Sequence, residues 1–145
     1  MTEEQEFDFS VQASLDKLEE VRSYIDRTGA RLGVNERALG DLRLVVDEAV
    51  TNIILHGYGD TDGVVELHMH AEGDAVVIRI CDRARSFDPG QVKAPQLDIA
   101  LKDRPFGGMG VFLIREMTDE ADFLPRPGGG NEIRLVKRGA IQIRP

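Results

Sequence analysis

The chain has 145 residues, of which 41% are hydrophobic and 30% are charged, and its formal net charge at pH 7 is −8. This composition argues against a disordered chain, and the length predicts one domain, spanning residues 1–145, with its own hydrophobic core. The excess of acidic residues argues against nucleic acid as a partner, and no apolar run approaches the roughly 20 residues that a membrane-spanning helix needs.

The N-terminus and the single cysteine indicate the compartment. Residues 1–10 (MTEEQEFDFS) contain neither the basic start nor the apolar stretch of a signal peptide. Cys81 has no second cysteine with which to form a disulfide and lies in an apolar run, so we expect a buried thiol in a reducing environment rather than a nucleophile. The sequence therefore predicts a cytoplasmic protein that does not bind membranes.

The first part of the chain predicts a strand followed by two helices. Alternating phenylalanine and valine residues predict a strand over residues 6–13. Ser14 is a candidate N-cap of a first helix, which ends at Gly33. Asn35 is a candidate N-cap of a second helix, which runs to about residue 56.

The remainder predicts four strands, an irregular segment and a third helix. Alternating apolar residues predict the strands over residues 64–70, 75–82, 121–126 and 132–137. Proline and glycine punctuate residues 83–106, which predicts a functional lid or a disordered insert, and Gly107-Gly108-Met109-Gly110 begins the third helix. The order β-α-α-β-β-lid-α-β-β predicts the α+β class: a two-layer α/β sandwich in which a mixed, mostly antiparallel sheet of about five strands is covered on one face by three helices.

Two polar residues interrupt the second helix. Within residues 42–58 (LRLVVDEAVTNIILHGY), apolar residues recur every three or four positions, the period of a buried helical face. Glu48 and Asn52 break this pattern four residues apart, so they lie on one side of the helix. Such a pair is costly to bury without partners. Either the two side chains bond each other and nearby backbone, which is the commoner arrangement, or they line a cleft and hold a ligand.

Two further features are candidates for the same site. Asp82 ends a buried strand, where it either caps the amides of its own loop or accepts a hydrogen bond from the exocyclic amine of a base. The glycines that begin the third helix let backbone N–H groups approach an anion, and the helix dipole adds to the attraction. His68 and His70 share one strand face, but with no cysteine or third histidine nearby we do not expect a zinc site.

Together these motifs resemble a known family. The sequence letters EAVTNIILHGY (48–58), ICDRARSFDP (80–89), GGMGVFLIREMTDE (107–120) and GGGNEIRLVKR (128–138) are similar, in this order, to the N-box, the two glycine boxes and the closing strand of the Bergerat-fold ATP-binding superfamily. Within this superfamily of histidine-kinase-like ATPases, the chain looks like the anti-sigma-factor serine/threonine-protein kinases, the RsbW-like group. The resemblance spans about residues 7–138 and implies a single ATPase domain with an ATP lid over about residues 83–107.

The resemblance assigns roles to particular residues. Asn52 would help to bind Mg²⁺, and Asp82 would accept a hydrogen bond from the adenine amino group. Glu48 would be the general base that orients or deprotonates a serine or threonine hydroxyl of a partner protein. Further nucleotide contacts are implied for the two loop segments, at Ala84, Gly107, Gly108, Met109 and Gly110. The lid cations that are candidates for a γ-phosphate contact are Lys93, Lys102 and Arg104.

By this resemblance the protein is an ATP- and Mg²⁺-dependent serine/threonine kinase and anti-sigma factor. It would phosphorylate a STAS-type anti-sigma-factor antagonist, sequester a sigma factor by partner switching, and form a homodimer. A second hypothesis is a nucleotide-binding interaction module without phosphoryl transfer, favoured because residues 82–86 read DRARS, with Ala84 and Ser86 where the superfamily has glycine. Glu48 favours the kinase. In a third hypothesis, the Glu48–Asn52 pair of an ordinary α+β domain merely satisfies itself.

Overall fold

The computed structural model describes residues 5–85 and 108–142, without the side chains at positions 108 and 109. Its helices and strands follow the predicted order and confirm the α+β class. The elements are β1 (Phe7–Gln12), α1 (Leu18–Leu32), α2 (Glu36–Asn52), β2 (Val64–Glu72), β3 (Ala75–Asp82), α3 (Gly108–Met117), β4 (Glu120–Pro125) and β5 (Asn131–Lys137).

The five strands form one sheet in the order β1-β2-β3-β5-β4. Every pairing among the described strands is antiparallel, which corrects the predicted mixed sheet. The reason is the position of the last hairpin. β3 and β4 run in the same direction, but β5 lies between them, so these two parallel strands never pair.

The three helices cover one face of this sheet. Alternate strand residues share a single hydrophobic core with residues from all three helices. Its fully buried members include Val21, Ile25, Leu42, Val45, Val50, Leu67, Met69, Ile78, Ile80, Ile114 and Leu135. The other face carries polar side chains, among them Asp8, His68 and Arg79. The same face also holds a small buried apolar cluster of Ala75, Val77 and Val136, while the main core lies on the helix-covered face, as predicted for a two-layer sandwich.

The two predicted helix caps have different outcomes. Asn35 caps α2 as expected, because its side-chain oxygen accepts a hydrogen bond from Ala38 N at 2.8 Å. The prediction for Ser14 is wrong, since its side chain makes no capping bond. A short 3₁₀ turn (Leu15–Lys17) precedes α1, and the Ser14 hydroxyl bonds the Asp16 carboxylate instead.

The second helix continues past its predicted end as a wider turn. Residues Ile53–Tyr58 form a π-helical turn, and Gly59 N donates to Ile54 O, five residues earlier, at 3.1 Å. Such turns often occur at functional sites, and this one directly follows Asn52. Among the described helices, none has both the length and the apolar character needed to cross a bilayer.

Candidate functional site

A cavity lies between α2, α3 and the edge of the sheet where β3 ends and β5 begins. Together with the open solvent at its mouth, it contains about 600 Å³ of space. Its apolar wall is formed by Ala49, Ile53, Val111, Ile114, Phe123, Leu124 and Ile133. Its polar side chains are Asn52, Asp82, Arg85, Asn131 and Glu132. An apolar cavity with a few polar groups is typical of a ligand-binding site.

The polar pair of α2 lies against the beginning of α3, and one of its two members reaches this cavity. Asn52 lines the cavity, whereas Glu48, one turn earlier, is not among its lining residues. A Cβ atom added to Gly110 would lie 2.3 Å from Asn52 Nδ2 and 3.4 Å from Glu48 Oε2. The backbone of α3 at Gly110 therefore lies against both side chains, and the two segments that the sequence singled out are in contact.

Glu48 and Asn52 do not satisfy each other. Within the described part of the chain, no hydrogen bond joins their side chains. This geometry disfavours the hypothesis of a pair that serves only itself. Burial, followed by the negative charge of Asp47, raises the pKa of Glu48 above its ordinary value, so its carboxylate is a stronger base than an exposed one.

Asp82 combines the two arrangements that the sequence left open. It is only 2% exposed, and its Oδ1 accepts hydrogen bonds from Ala84 N at 2.8 Å and from Asn131 Nδ2 at 3.0 Å. One carboxylate oxygen therefore caps its own loop. The side chain also lines the cavity, and both of these hydrogen bonds are accepted by Oδ1 rather than by Oδ2.

Ala84 occupies its place in the loop without the backbone freedom of glycine. No described non-glycine residue has a positive φ, so Ala84 adopts an ordinary backbone conformation. A Cβ atom added to Gly57 would lie 3.0 Å from the Ala84 Cβ. The small residue at the end of the π-helical turn thus gives Ala84 room to line the cavity beside Asp82.

The remaining predicted contacts fall at or beyond the edge of the described chain. Gly108 and Met109 belong to the first turn of α3. Gly107, residues 86–106 of the lid, and its three candidate cations at positions 93, 102 and 104 lie outside the described residues. Their roles stay predictions.

Sequence reasoning missed Asn131, which lies opposite Asp82 in the β3–β5 pairing. The signal was a polar residue at the first position of a strand after three glycines. That signal is weak because the sequence does not state which strand β5 joins or in which register. Phe123 and Ile133 of the apolar wall were missed for the same reason.

The structure corrects one inference about His68 and His70. No cysteine was expected near them, but the β2–β3 pairing places Cys81 opposite Glu66, and ligand-type atoms of Glu66, His68 and Cys81 lie within 4.8 Å of one another. The Cys81 thiol donates to Glu132 at 3.4 Å. Burial and this bond raise the pKa of the thiol to about 11, which disfavours the thiolate that metals bind. The absence of zinc stays a prediction.

Sequence comparison places the chain among known proteins. Residues 11–137 match the family described as histidine kinase-like ATPase domains. An anti-sigma F factor of Anoxybacillus flavithermus is 30% identical over 100 residues, which cover 68% of this chain and 68% of that protein. A serine-protein kinase RsbW of Staphylococcus aureus is 29% identical over 125 residues, which cover 81% of this chain and 78% of that protein.

A solved structure shares the fold. The RsbU and RsbW domains of a Mycobacterium tuberculosis protein match with a TM-score of 0.66 and 18% identity, over 97% of this chain and 35% of that one. This chain thus spans about a third of that protein's solved chain, and at this identity the likeness shows the fold alone. The family match includes every residue that lines the cavity. The chain belongs to the family of histidine kinase-like ATPase domains, in the branch that contains the anti-sigma factors and the RsbW-type serine-protein kinases.

Proposed function

We propose that this protein is an ATP- and Mg²⁺-dependent serine/threonine kinase that acts as an anti-sigma factor. The observation that carries the proposal is the convergence at one cavity: Asn52 and Asp82 line it from separate elements, and Gly110 lies against Asn52. The names of the relatives supply the class of activity.

The residues of the cavity fit an adenine nucleotide. A buried carboxylate, that of Asp82, accepts from an exocyclic amino group, and the apolar wall contacts the faces of the ring. The side-chain oxygen of Asn52 is the type of ligand that Mg²⁺ prefers. Without a side chain at Gly110, the start of α3 leaves space beside Asn52 that a Cβ atom would fill.

Glu48 is the group that we assign to proton transfer. Bound MgATP would supply the phosphoryl group and a divalent cation that offsets its charge. The chain itself would supply position and a base: Asn52 would help to hold the metal ion, and Glu48 would accept the proton of the serine or threonine hydroxyl that attacks the γ-phosphorus as ADP leaves. The raised pKa of Glu48 brings its basicity closer to what this task requires.

The partners follow from the same proposal. The protein phosphorylates a STAS-type antagonist and sequesters a sigma factor, and its nucleotide state selects between the two by differential affinity. We further propose that it acts in the cytoplasm as a homodimer.

A second candidate function is a nucleotide-binding interaction module that transfers no phosphate. Two observations favour it: Glu48 is not among the residues that line the cavity, and the loop after Asp82 has Ala84 where the superfamily has glycine. Such a module would bind a partner in a nucleotide-dependent way. The two candidates differ only in the transfer step, so they must be tested on it.

Calorimetric titration with ATP and Mg²⁺ tests nucleotide binding. Asp82→Asn exchanges an accepting oxygen for a donating nitrogen, so we expect a loss of affinity of about tenfold or more. Asp122→Asn removes the same charge from an exposed position on β4 and is expected to bind like the wild type. If the wild type does not bind ATP, or if Asp82→Asn binds it equally well, the assignment of the cavity is wrong.

Transfer of labelled γ-phosphate to a STAS-type antagonist tests catalysis. Glu48→Gln is expected to bind ATP normally and to lose transfer by about 100-fold or more, the usual contribution of a general base. Glu19→Gln, on the exposed side of α1, is the matched control. Full transfer by Glu48→Gln would refute its role as base. If the wild type binds ATP but transfers no phosphate, the nucleotide-binding interaction module remains as the function.

A further inference from the structure

Exposed apolar side chains lie in a line along the outer side of α2 and the π-helical turn. Leu44 is 43% exposed and Leu55 is 48% exposed, and Thr51 between them is half-buried. Their spacing of seven and four residues places the three side chains on one side of the helix, over a length of about 16 Å. These three residues are the α2 ridge. Large apolar side chains that stay exposed along one side of a helix indicate a surface that a partner covers.

The proposed general base adjoins this ridge. Glu48 follows Leu44 by one helical turn, about 6 Å along the axis, and its side chain is half-buried. It is not among the residues that line the cavity. A Cβ atom added to Gly110 would lie 3.4 Å from Glu48 Oε2, and because position 110 is glycine, no side chain of that residue covers the carboxylate. A hydroxyl that reaches this base therefore approaches across the outer surface of α2 rather than through the cavity.

The charges beside the ridge, on the side of α1, are neutralised in pairs. Arg22 donates two hydrogen bonds to the carboxylate of Asp47, both at 2.9 Å, and Arg43 bonds the Asp26 carboxylate. Each pair joins α1 to α2, so neither cation nor carboxylate is left for a partner. The chemistry that fits this surface is accordingly a neutral hydroxyl with apolar side chains around it, rather than an acidic or basic segment.

We propose that the α2 ridge is the docking surface for the protein that accepts the phosphoryl group. This inference rests on the proposed function, because it concerns the substrate of the same site. The occupant is a segment of the antagonist with apolar side chains on both sides of its serine or threonine. Contacts of these side chains with Leu44 and Leu55 place the hydroxyl at Glu48. In the transfer, the hydroxyl oxygen bonds to the γ-phosphorus, the bond from that phosphorus to ADP breaks, and the proton passes to Glu48.

The test measures transfer of labelled γ-phosphate to a STAS-type antagonist at saturating ATP and Mg²⁺, with the antagonist concentration varied. Leu44→Gln and Leu55→Gln are each expected to raise the KM for the antagonist by about tenfold, the effect of losing the burial of one leucine side chain, and to leave kcat within about twofold. Because the two positions are about 16 Å apart, the double variant should raise this KM by about 100-fold. Leu44→Met and Leu55→Met keep an apolar side chain of similar volume and should stay within about twofold of the wild type.

Val64→Gln is the matched control, because Val64 is 46% exposed but is not part of the ridge. Its neighbour Val65 is buried in the core, so the alternation along β2 places Val64 on the face of the sheet away from the helices. This variant should keep the KM of the wild type. The affinity for ATP, measured by calorimetry, should be unchanged in all of these variants, since none of the substituted residues lines the cavity.

A measurement on the unsubstituted protein does not depend on whether the variants fold. When the antagonist is added to the protein with ADP and Mg²⁺, the methyl NMR signals of Leu44 and Leu55 are expected to shift or broaden, and those of Val64 to stay unchanged. If the complex forms and the signals of both leucines do not change, the antagonist docks elsewhere and the proposal is wrong.

The outcomes separate this inference from the proposed function. A wild type that binds no ATP or transfers no phosphate refutes the proposed function and this inference with it. A wild type that transfers phosphate, together with Leu44→Gln and Leu55→Gln variants that keep its KM, refutes only the docking surface. The docking surface is also refuted if these variants lose only sigma-factor binding, or only self-association in sedimentation analysis, because the ridge then serves a different partner. A raised KM in both glutamine variants and an unchanged KM in Val64→Gln support the docking surface.

Discussion

Gly110 of α3 lies so close to Asn52 of α2 that a Cβ atom at position 110 would come within 2.3 Å of the Asn52 side-chain nitrogen. The nearest atom is the end of a side chain, which can rotate, rather than backbone. A substitution at Gly110 should therefore move the carboxamide of Asn52 more than it disturbs the packing of the helices. The proposed metal ligand and the glycine-led helix are mechanically linked through this contact.

Gly110→Ala is expected to weaken binding of ATP with Mg²⁺ by about tenfold while leaving thermal stability nearly unchanged. The displaced carboxamide no longer faces the cavity, and alanine's better helix propensity, up to about 1 kcal/mol, offsets the steric cost. Calorimetry and thermal denaturation measure the two effects. Gly40→Ala is the control, because a Cβ atom there has no neighbour within 4 Å. It should stabilise the protein by about 0.5–1 kcal/mol and bind ATP normally. Equal ATP affinity in both variants would contradict the prediction.

The pH dependence of the transfer rate should have an acid limb, in which the rate falls with decreasing pH, and its position should report the environment of Glu48. Burial and the charge of Asp47 raise its pKa, and a general base must be ionised. The rate is therefore expected to fall, as pH decreases, at a pH above the ordinary glutamate value of 4.5. Asp47→Asn removes one of the two causes, so the limb should move to lower pH.

The control for this pH profile is Arg22→Gln, since Asp47→Asn also breaks the bidentate Arg22–Asp47 pair, with both contacts at 2.9 Å. Arg22→Gln leaves Asp47 charged but without its cation, so the acid limb should move to higher pH, opposite to the shift expected for Asp47→Asn. Shifts of the same sign in both variants would show that the limb does not report on Glu48.

The Tyr58 hydroxyl links the end of the π-helical turn to the loop of Asp82. It donates to Val64 O at 2.8 Å and accepts from Arg83 N at 2.7 Å. Tyr58→Phe leaves both backbone groups unpaired, so we expect a loss of about 1–3 kcal/mol in the free energy of unfolding and weaker ATP binding. Chemical denaturation measures the first effect and calorimetry measures the second.

Tyr24→Phe is the matched control, because the Tyr24 hydroxyl makes one hydrogen bond, to Phe7 O, far along the sheet from the cavity. It should lose about 1 kcal/mol or less and bind ATP like the wild type. A Tyr58→Phe variant as stable as Tyr24→Phe, with unchanged ATP affinity, would show that the link to Arg83 has no role.

Cys81 is expected to resist alkylation in the folded protein. It is 2% exposed, and burial together with its bond to Glu132 raises the pKa of the thiol to about 11, so the reactive thiolate is scarce at pH 8. Mass spectrometry after iodoacetamide treatment at pH 8 should find it unmodified, whereas the same treatment in denaturant should modify it fully. Rapid labelling of the folded protein would contradict the assignment of Cys81 as a buried, unreactive thiol.

Local patterns in the sequence determined much of the fold. The period of three to four residues placed Glu48 and Asn52 on one side of α2, and alternation located the five strands to within about two residues of their observed ends. The cap at Asn35 was predictable because its partner, Ala38 N, lies three residues away. The cap predicted at Ser14 is not formed, because a 3₁₀ turn precedes the helix and the Ser14 hydroxyl bonds the Asp16 carboxylate.

Only the tertiary structure decided which distant residues meet. Asn131 bonds Asp82 across 49 residues of sequence, Cys81 lies beside Glu66 because of one strand register, and Gly110 contacts Asn52 because two helices pack together. A local pattern states which face of an element is buried, but not which neighbour covers it or in which register. The sequence by itself therefore determined the elements and the chemical types at the candidate site. Long-range packing and strand pairing determined that Asn131 bonds one oxygen of Asp82 at the edge of the cavity.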